Sequence, residues 1–314
     1  MKEYIIGKNE AGQRFDKYIF KLLKNAGTGL IFKQLRNKNI VLNGKKAKGN
    51  EILKENDSVR IFMSDDTINK FTGGPLHISK TGFRLDVIYE DDDILLASKP
   101  VGVLSQKSSD KDISMNEYLI EYLTDKGFGK ENLATFKPSF CNRLDRNTSG
   151  LMIAGKSLRG LQKMSEIIKD RSIHKFYLTI VKGIVDKKSV IKGYLRKDEK
   201  NNKVVIYDNP VKDSYEIHTE YEPLATKDDM TLLKVRLITG KTHQIRAHLA
   251  GISHPVLGDF KYGDKVFNEK YGEKRQLLHS YQVVFPKLDN FPDISEKSFN
   301  TPYPVNFTKY FKEN

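Results

Sequence analysis

A carboxylate set among guanidinium groups is the first feature of this sequence that could do chemistry. In Cys141-Asn142-Arg143-Leu144-Asp145-Arg146-Asn147-Thr148-Ser149-Gly150, Asp145 stands next to Arg146 and two residues from Arg143. If the backbone is extended here, Arg143 and Asp145 share a face and Leu144 turns to the core. A carboxylate held beside cations stays ionised, which suits a nucleophile or a general base. The same spacing serves a structural Asp–Arg pair with a capping turn, and spacing alone leaves the two even. A second group lies in the strand-like run Ile173-His174-Lys175-Phe176-Tyr177-Leu178-Thr179, closed by Gly183. Tyr177 falls in phase with Lys175 and Thr179, opposite Phe176 and Leu178. A strand tyrosine usually packs, but this one could offer an aromatic face and a hydroxyl to a base. The third group follows the strand-like run TLLKVRLI. Thr239-Gly240 turns into a helix with Ile245 and Leu249 inward and with His243 and Arg246 on a different face. Lys241 and Thr242 at that helix start make an anion site. His243 and His248 are not at H-E-x-x-H spacing and have no carboxylate between them, so a zinc site is rejected and His248 reads as hydrogen-bonded structure.

One string misleads. Gly150-Leu151-Met152-Ile153-Ala154-Gly155-Lys156-Ser157 fits the phosphate-loop pattern G-x-x-x-x-G-K-S letter for letter. A phosphate loop bends its backbone amides around phosphates. Here the four middle residues are apolar and read as a buried strand, so nucleotide binding is rejected.

Length and charge set the frame for these groups. The 314 residues suit one large domain and a small one. Hydrophobic residues make up 38%, with 15 Tyr and 17 Phe, enough for a sizeable core. No apolar run approaches the ~20 residues of a membrane span, and the start MKEYIIGKNE lacks a secretory apolar segment. The single cysteine, Cys141, excludes an internal disulfide, and a reducing cytoplasm is the expected setting. The net charge of +14 points to a polyanionic partner. Residues 1–63 hold 14 Lys and Arg against 6 Asp and Glu, more than half of that excess.

That basic front reads as helix, helix, hairpin, strand. Phe15, Ile19, Leu22 and Leu23 recur at helical spacing, and Thr28 or Gly29 caps a second helix with Ile31 and Leu35 inward. Asn43-Gly44 is a tight hairpin signal between Ile40-Val41-Leu42 and the lysines that follow. On Arg14-Phe15-Asp16-Lys17, the basic helix through Arg36, Ile40–Gly44 and Asp57–Ile61, the stretch resembles the S-four-like RNA-binding domain. That resemblance implies RNA contacts from Arg14, Lys17, Lys33, Arg36, Lys45 and Lys46. Residues 64–83, with Gly73-Gly74-Pro75, read as a linker, and residues 84–314 as the catalytic domain.

The three chemistry-bearing groups, in order, resemble the RluA-type pseudouridine synthases. The shared motifs are R-L-D-x-x-T-S-G at 143–150, K-x-Y at 175–177 and G-[RK]-T-H-Q-[IL]-R-x-H at 240–248. They are joined by His254–Asp259, Leu278–Tyr281 and the Val87–Gly102 hairpin with its Lys-Pro. The sequence departs from the family pattern at Asn142 and Lys241, often His and Arg there. The resemblance implies an α+β fold with a mixed, largely antiparallel central sheet. It implies isomerisation of uridine to pseudouridine in structured RNA, ribosomal RNA first and transfer RNA second, by a monomer without cofactor or metal. Asp145 matches the catalytic aspartate, which attacks the ribose anomeric carbon or removes a ribose proton. Tyr177 matches the tyrosine that stacks on the flipped base and helps remove the proton at the new carbon–carbon bond, and Arg246 the arginine paired with the aspartate. Arg143 matches the arginine that fills the space the base leaves, with Lys241 and His243 in the RNA-binding set. The rival from another class is a non-catalytic RNA-binding assembly factor, which explains the charge but not the Asp145, Tyr177 and Arg246 constellation.

Overall fold

The structure, a computed structural model, describes residues 1–72, 80–129, 133 and 135–312. The front module runs β1 (Lys2–Ile5), α1 (Phe15–Leu22), α2 (Thr28–Arg36), β2 (Ile40–Leu42), β3 (Lys45–Lys46), β4 (Ser58–Ile61) and α3 (Asp65–Thr72). Its antiparallel sheet has the order β1-β4-β2-β3. Phe15, Ile19, Leu22, Ile31 and Leu35 close over it as their helical spacing predicts. Asn43 and Gly44 both take positive φ, 50° and 72°, the twist that joins β2 to β3 in two residues. Helix α2 begins at Thr28 with Gly27 as its cap, just ahead of the expected start.

The stretch read as a linker divides three ways. Residues 65–72 are α3, whose Ile68 is fully buried in the front core with Phe71 beside it. Two apolar residues in one short helix give no visible period. Gly73-Gly74-Pro75 fall outside the described residues. Thr81 and Gly82 donate backbone N–H groups to Glu121, and Phe83 stacks on Tyr118 at 4.0 Å, so 81–83 belong with the second module.

The second module follows as β5 (Asp86–Glu90), β6 (Ile94–Lys99), α4 (Met115–Asp125), β7 (Ser139–Phe140), β8 (Ser149–Gly155), α5 (Leu158–Lys169), β9 (His174–Lys182), β10 (Ser189–Asp198), β11 (Lys203–Tyr207), β12 (Tyr215–Lys227), β13 (Met230–Leu237), α6 (Gln244–Gly251), α7 (Lys265–Tyr271), β14 (Leu278–Val284) and β15 (Ser298–Asn300). An eleven-stranded sheet runs β11-β10-β12-β13-β9-β14-β8-β6-β5, with β15 beside β14 and β7 beside β8. The β14–β8 pair is parallel; the other pairs are antiparallel. This is the α+β architecture with a mixed, largely antiparallel sheet. Leu95, Ala97, Met152, Ala154 and Val235 face one core, and Ile94, Leu96, Leu151 and Ile153 face another beneath α5. Among the described residues no helix is long and apolar enough to cross a membrane.

Strand β8 is covered on both faces, so it reads as a continuous apolar run. It forms the middle of the phosphate-loop string. Gly150, at φ 105°, lies against β14 so closely that a Cβ would meet Ser280 O at 2.1 Å. Lys156 donates to Glu90 Oε1 and Asp91 O, both at 2.6 Å, and Ser157 Oγ caps α5 by accepting from Gly160 N. Lys156→Ala is therefore expected to cost roughly 1.5–3 kcal/mol of stability and to leave turnover and ATP affinity alone. Thermal melts and calorimetry check this; micromolar ATP affinity in the wild type that vanishes in the variant would overturn it.

Candidate active site

Asp145 sits on the loop between β7 and β8, and backbone anchors on both sides fix it. Ser105 Oγ accepts from Leu144 N at 2.9 Å and donates to Leu144 O at 2.8 Å. Lys99 Nζ donates to Arg146 O at 2.9 Å, and also to Pro100 O and Val103 O. Gly102 N donates to the same Arg146 oxygen. Asn142, at the position where histidine is frequent, accepts from Ile153 N at 2.8 Å and ties the loop to β8. Lys99 is fully buried. Burial pushes its ammonium down to about 7, against the pull of the Asp145 charge. Three carbonyl oxygens satisfy its three donors.

The guanidinium that pairs with Asp145 comes from α6. Arg246 Nη1 donates to Asp145 Oδ2 at 2.7 Å. Its Nε and Nη2 fork onto Asp259 at 2.7 and 2.9 Å. The Asp259 side chain is 1% exposed and the Asp145 side chain 22%, so the chain runs from an interior anchor to an open carboxylate. Burial pushes Asp259 up. The fork and charge of Arg246, with backbone N–H groups of Lys261 and Tyr262, more than reverse this and hold it below the ordinary aspartate range. Burial also works against the Arg246 charge, and Asp259 and Asp145 together raise its pKa above the usual arginine value.

His243 caps α6 in a left-handed conformation, φ 56°. Its Nε2 lies 3.9 Å from Asp145 Oδ2, and its Nδ1 is hydrogen-bonded to Tyr262 Oη at 2.9 Å. Burial pushes the imidazole below its usual range, opposed by Asp145. The Tyr262 ring lies 5.2 Å from the Arg246 guanidinium carbon. Tyr177, on β9, is buried close enough to feel the Asp145 charge. Burial pushes its hydroxyl up to about 12; the polar Ser280 side chain opposes the shift and the nearby Asp145 charge adds to it. It is a neutral phenol at pH 7.

The fold thus gathers Asp145, Tyr177, His243 and Arg246, and leaves other expected residues elsewhere. Leu144 is buried and Arg143 exposed, as alternation predicts. However, neither Arg143 nor Arg146 pairs with Asp145. Arg143 makes no salt bridge among the described residues, and Arg146 Nε bonds Gly102 O. The anion site expected at Lys241 and Thr242 is displaced: α6 starts at Gln244, whose Oε1 accepts from Lys241 N at 3.1 Å. Lys241 Nζ lies 3.7 Å over the Tyr215 ring. His248 is buried and bonds Thr219 Oγ1. In the front module Arg14, Lys17, Lys33, Arg36, Lys45 and Lys46 are exposed, and Arg14, the N-cap of α1, also pairs with Asp16 at 2.6 Å. Sequence reasoning assigns no role to Asp259, Tyr262, Lys99 or Ser105, although Asp259 and Lys99 lie inside the matched motifs.

With the geometry in place, the class of protein follows from its relatives. The RNA pseudouridylate synthase family model matches residues 93–251, a little over half of the chain. An uncharacterized RNA pseudouridine synthase of Mycoplasma genitalium is 31% identical, the match covering 94% of this chain and 93% of that one. The ribosomal large subunit pseudouridine synthase C of Pasteurella multocida is 29% identical, over 91% of this chain and 86% of its own. The human RNA pseudouridylate synthase domain containing 1 shares the fold, with a TM-score of 0.57 at 21% identity over 72% of this chain and 86% of that one. The chain belongs to the RNA pseudouridylate synthase family. It is an isomerase acting on RNA, and the reading as a non-catalytic assembly factor gives way.

Proposed function

We propose that the protein converts specific uridines of large-subunit ribosomal RNA to pseudouridine, with Asp145 as the catalytic carboxylate on a flipped-out base. The observation that carries this reading is the Asp259–Arg246–Asp145 chain: a half-open carboxylate oriented by a guanidinium that a buried carboxylate holds rigid. Asp145 starts cleavage of the bond between ribose C1′ and uracil N1, and the base turns to join C1′ through C5. The proton lost from C5 is balanced by one gained at N1, so no redox carrier is consumed. Arg246 positions the carboxylate. Tyr177 supports the base with its ring and helps remove the proton at the new carbon–carbon bond. Arg143, exposed and without an ion pair among the described residues, occupies the gap the base leaves. The ribosomal target is supported by relatives named ribosomal large subunit pseudouridine synthase C. The test is carbodiimide labelling of ribosomal and transfer RNA from cells with and without the gene. Loss of defined large-subunit sites is expected; loss confined to transfer RNA, or none, overturns the ribosomal reading.

The front module supplies sequence-independent affinity in this reading. With α3 included, residues 1–72 hold 15 Lys and Arg against 8 Asp and Glu, a net of +7. The buried cluster of this module draws on residues 6–68, all within that span. A hydrogen bond from Thr135 to Glu10 crosses to the second module. Deleting residues 1–72 is expected to leave a folded catalytic module that binds RNA more weakly. The log–log salt slope should shrink by roughly 0.7–0.9 for each phosphate the protein no longer neutralises. Binding across a salt series, with circular dichroism as a fold check, measures this. An unchanged slope would show that the module does not touch RNA.

A further inference from the structure

A small cationic pocket lies beside the active site and is not used by the chemistry proposed above. It has a volume of about 210 Å³ and is formed where the end of α5 meets β9 and the turn into α6. Lys169, Arg171, Lys175 and Lys241 line it, over an apolar floor of Ile173 and Ile238. None of the four cations makes a salt bridge among the described residues. Two nearby carboxylates are engaged elsewhere: Asp170 accepts from the Ser172 backbone and hydroxyl, and Glu216 bonds His218 at 2.8 Å. Lys175 is half-buried, and burial together with the Arg171 charge lowers its pKa. The Arg171 and Lys175 charges repel one another, Glu216 lies within electrostatic reach of Arg171 without pairing with it, and Lys241 rests over the Tyr215 ring, so an external anion filling the space would relieve a local excess of positive charge.

Size and position identify the anion. Pockets for whole small molecules run from about 300 Å³ upward, so this one fits a single charged group and not a nucleoside. Lys175 lies on the same face of β9 as Tyr177, two residues away, about 7 Å along a strand. Lys241 lies two residues before His243 on the turn that leads to Arg246. An RNA strand entering or leaving the site of the flipped base therefore has the pocket within a nucleotide or two.

We propose that this pocket is a phosphate subsite that grips a backbone phosphodiester flanking the target uridine, with Lys169, Arg171 and Lys175 as ligands beside Lys241. The proposal rests on the reading of Asp145 as the site of uridine chemistry. It places RNA affinity on α5 and β9 of the catalytic module, apart from the front module. The Lys169→Gln/Arg171→Gln double variant changes two exposed side chains and is expected to fold normally.

In the full-length protein, binding of in vitro transcribed large-subunit ribosomal RNA across a salt series should weaken several-fold in that variant. The magnitude of the slope should fall by at least roughly 0.7. Turnover at saturating RNA should be retained, since uniform binding was removed. Lys175→Met should act in the same direction. An unchanged slope overturns the subsite, as does a fall in turnover with binding unchanged. Inorganic phosphate is the other source of this chemistry. If it shifts the Arg171 and Lys175 side-chain NMR signals of the wild type while the substitutions leave the RNA slope unchanged, the pocket holds a free anion and the RNA assignment fails. If the wild type isomerises no uridine, the functional reading fails whatever the slope does; if it does and the slope is unchanged, the subsite alone fails.

Discussion

Asp145→Asn is expected to abolish pseudouridine formation, lowering turnover by about 10³-fold or more, while RNA still binds. Asparagine keeps the size of the side chain and an oxygen that can accept from Arg246 Nη1, but removes the charge that the reaction needs. The hydrogen bonds that hold the loop and the guanidinium in place do not depend on that charge. Arg246 stays forked on Asp259 at 2.7 and 2.9 Å, and Leu144 and Arg146 stay pinned by Ser105 and Lys99. The change leaves the exposed lysines of the front module untouched and removes one negative charge from the protein, so RNA affinity is retained. Carbodiimide labelling of the RNA product gives turnover, and a filter or mobility assay gives affinity. Turnover near wild type would remove Asp145 from the mechanism. Loss of binding together with turnover would instead assign it a structural role.

The parts of this site that were legible in the sequence lie within single continuous motifs. Asp145 with Leu144 and Tyr177 with Lys175 follow from the alternation of an extended chain, and the structure keeps both patterns. What was not legible depends on chain segments that meet only in the fold. Lys99 follows an apolar strand and looks like its solvated end. It is buried because carbonyls from 100, 103 and 146 converge on its ammonium. Asp259 sits in a turn rich in glycine and proline, where a carboxylate usually caps a loop. Its partner is the Arg246 fork, 13 residues earlier on another element. Helix α6 starts later than the spacing predicts, for a local reason. Gln244 folds its side chain back onto Lys241 N, and His243 takes a left-handed conformation rare for a residue with a Cβ. Strand β1 is only four residues long and pairs with β4, more than fifty residues away, so no local signal marks it.

The second large effect is expected at Arg246. Arg246→Ala should lose activity and also about 3–5 kcal/mol of stability. The loss arises at Asp259, whose side chain is 1% exposed and which would keep only the backbone N–H groups of Lys261 and Tyr262 as partners. For a domain of this size each kcal/mol lowers Tm by roughly 2–4 °C, so the melting temperature should fall by roughly 6–20 °C. The pH dependence separates this cause from simple loss of packing. In the wild type the folded-state pKa of Asp259 lies below its ordinary value. Its contribution is therefore fully present above the unfolded carboxylate pKa and is lost as pH falls through the folded value. Without the guanidinium, burial alone raises the folded value, and the ionised carboxylate destabilises the variant at neutral pH. The gap in stability between wild type and variant should therefore be widest near pH 7 and narrow toward pH 4. Arg246→Lys should recover part of the stability and little of the activity, because one ammonium cannot fork onto Asp259 while holding Asp145. Thermal melts from pH 7 to pH 4, set beside turnover, measure both effects. A gap that stays constant across that range would show that Arg246 acts through packing and not through the two carboxylates it joins.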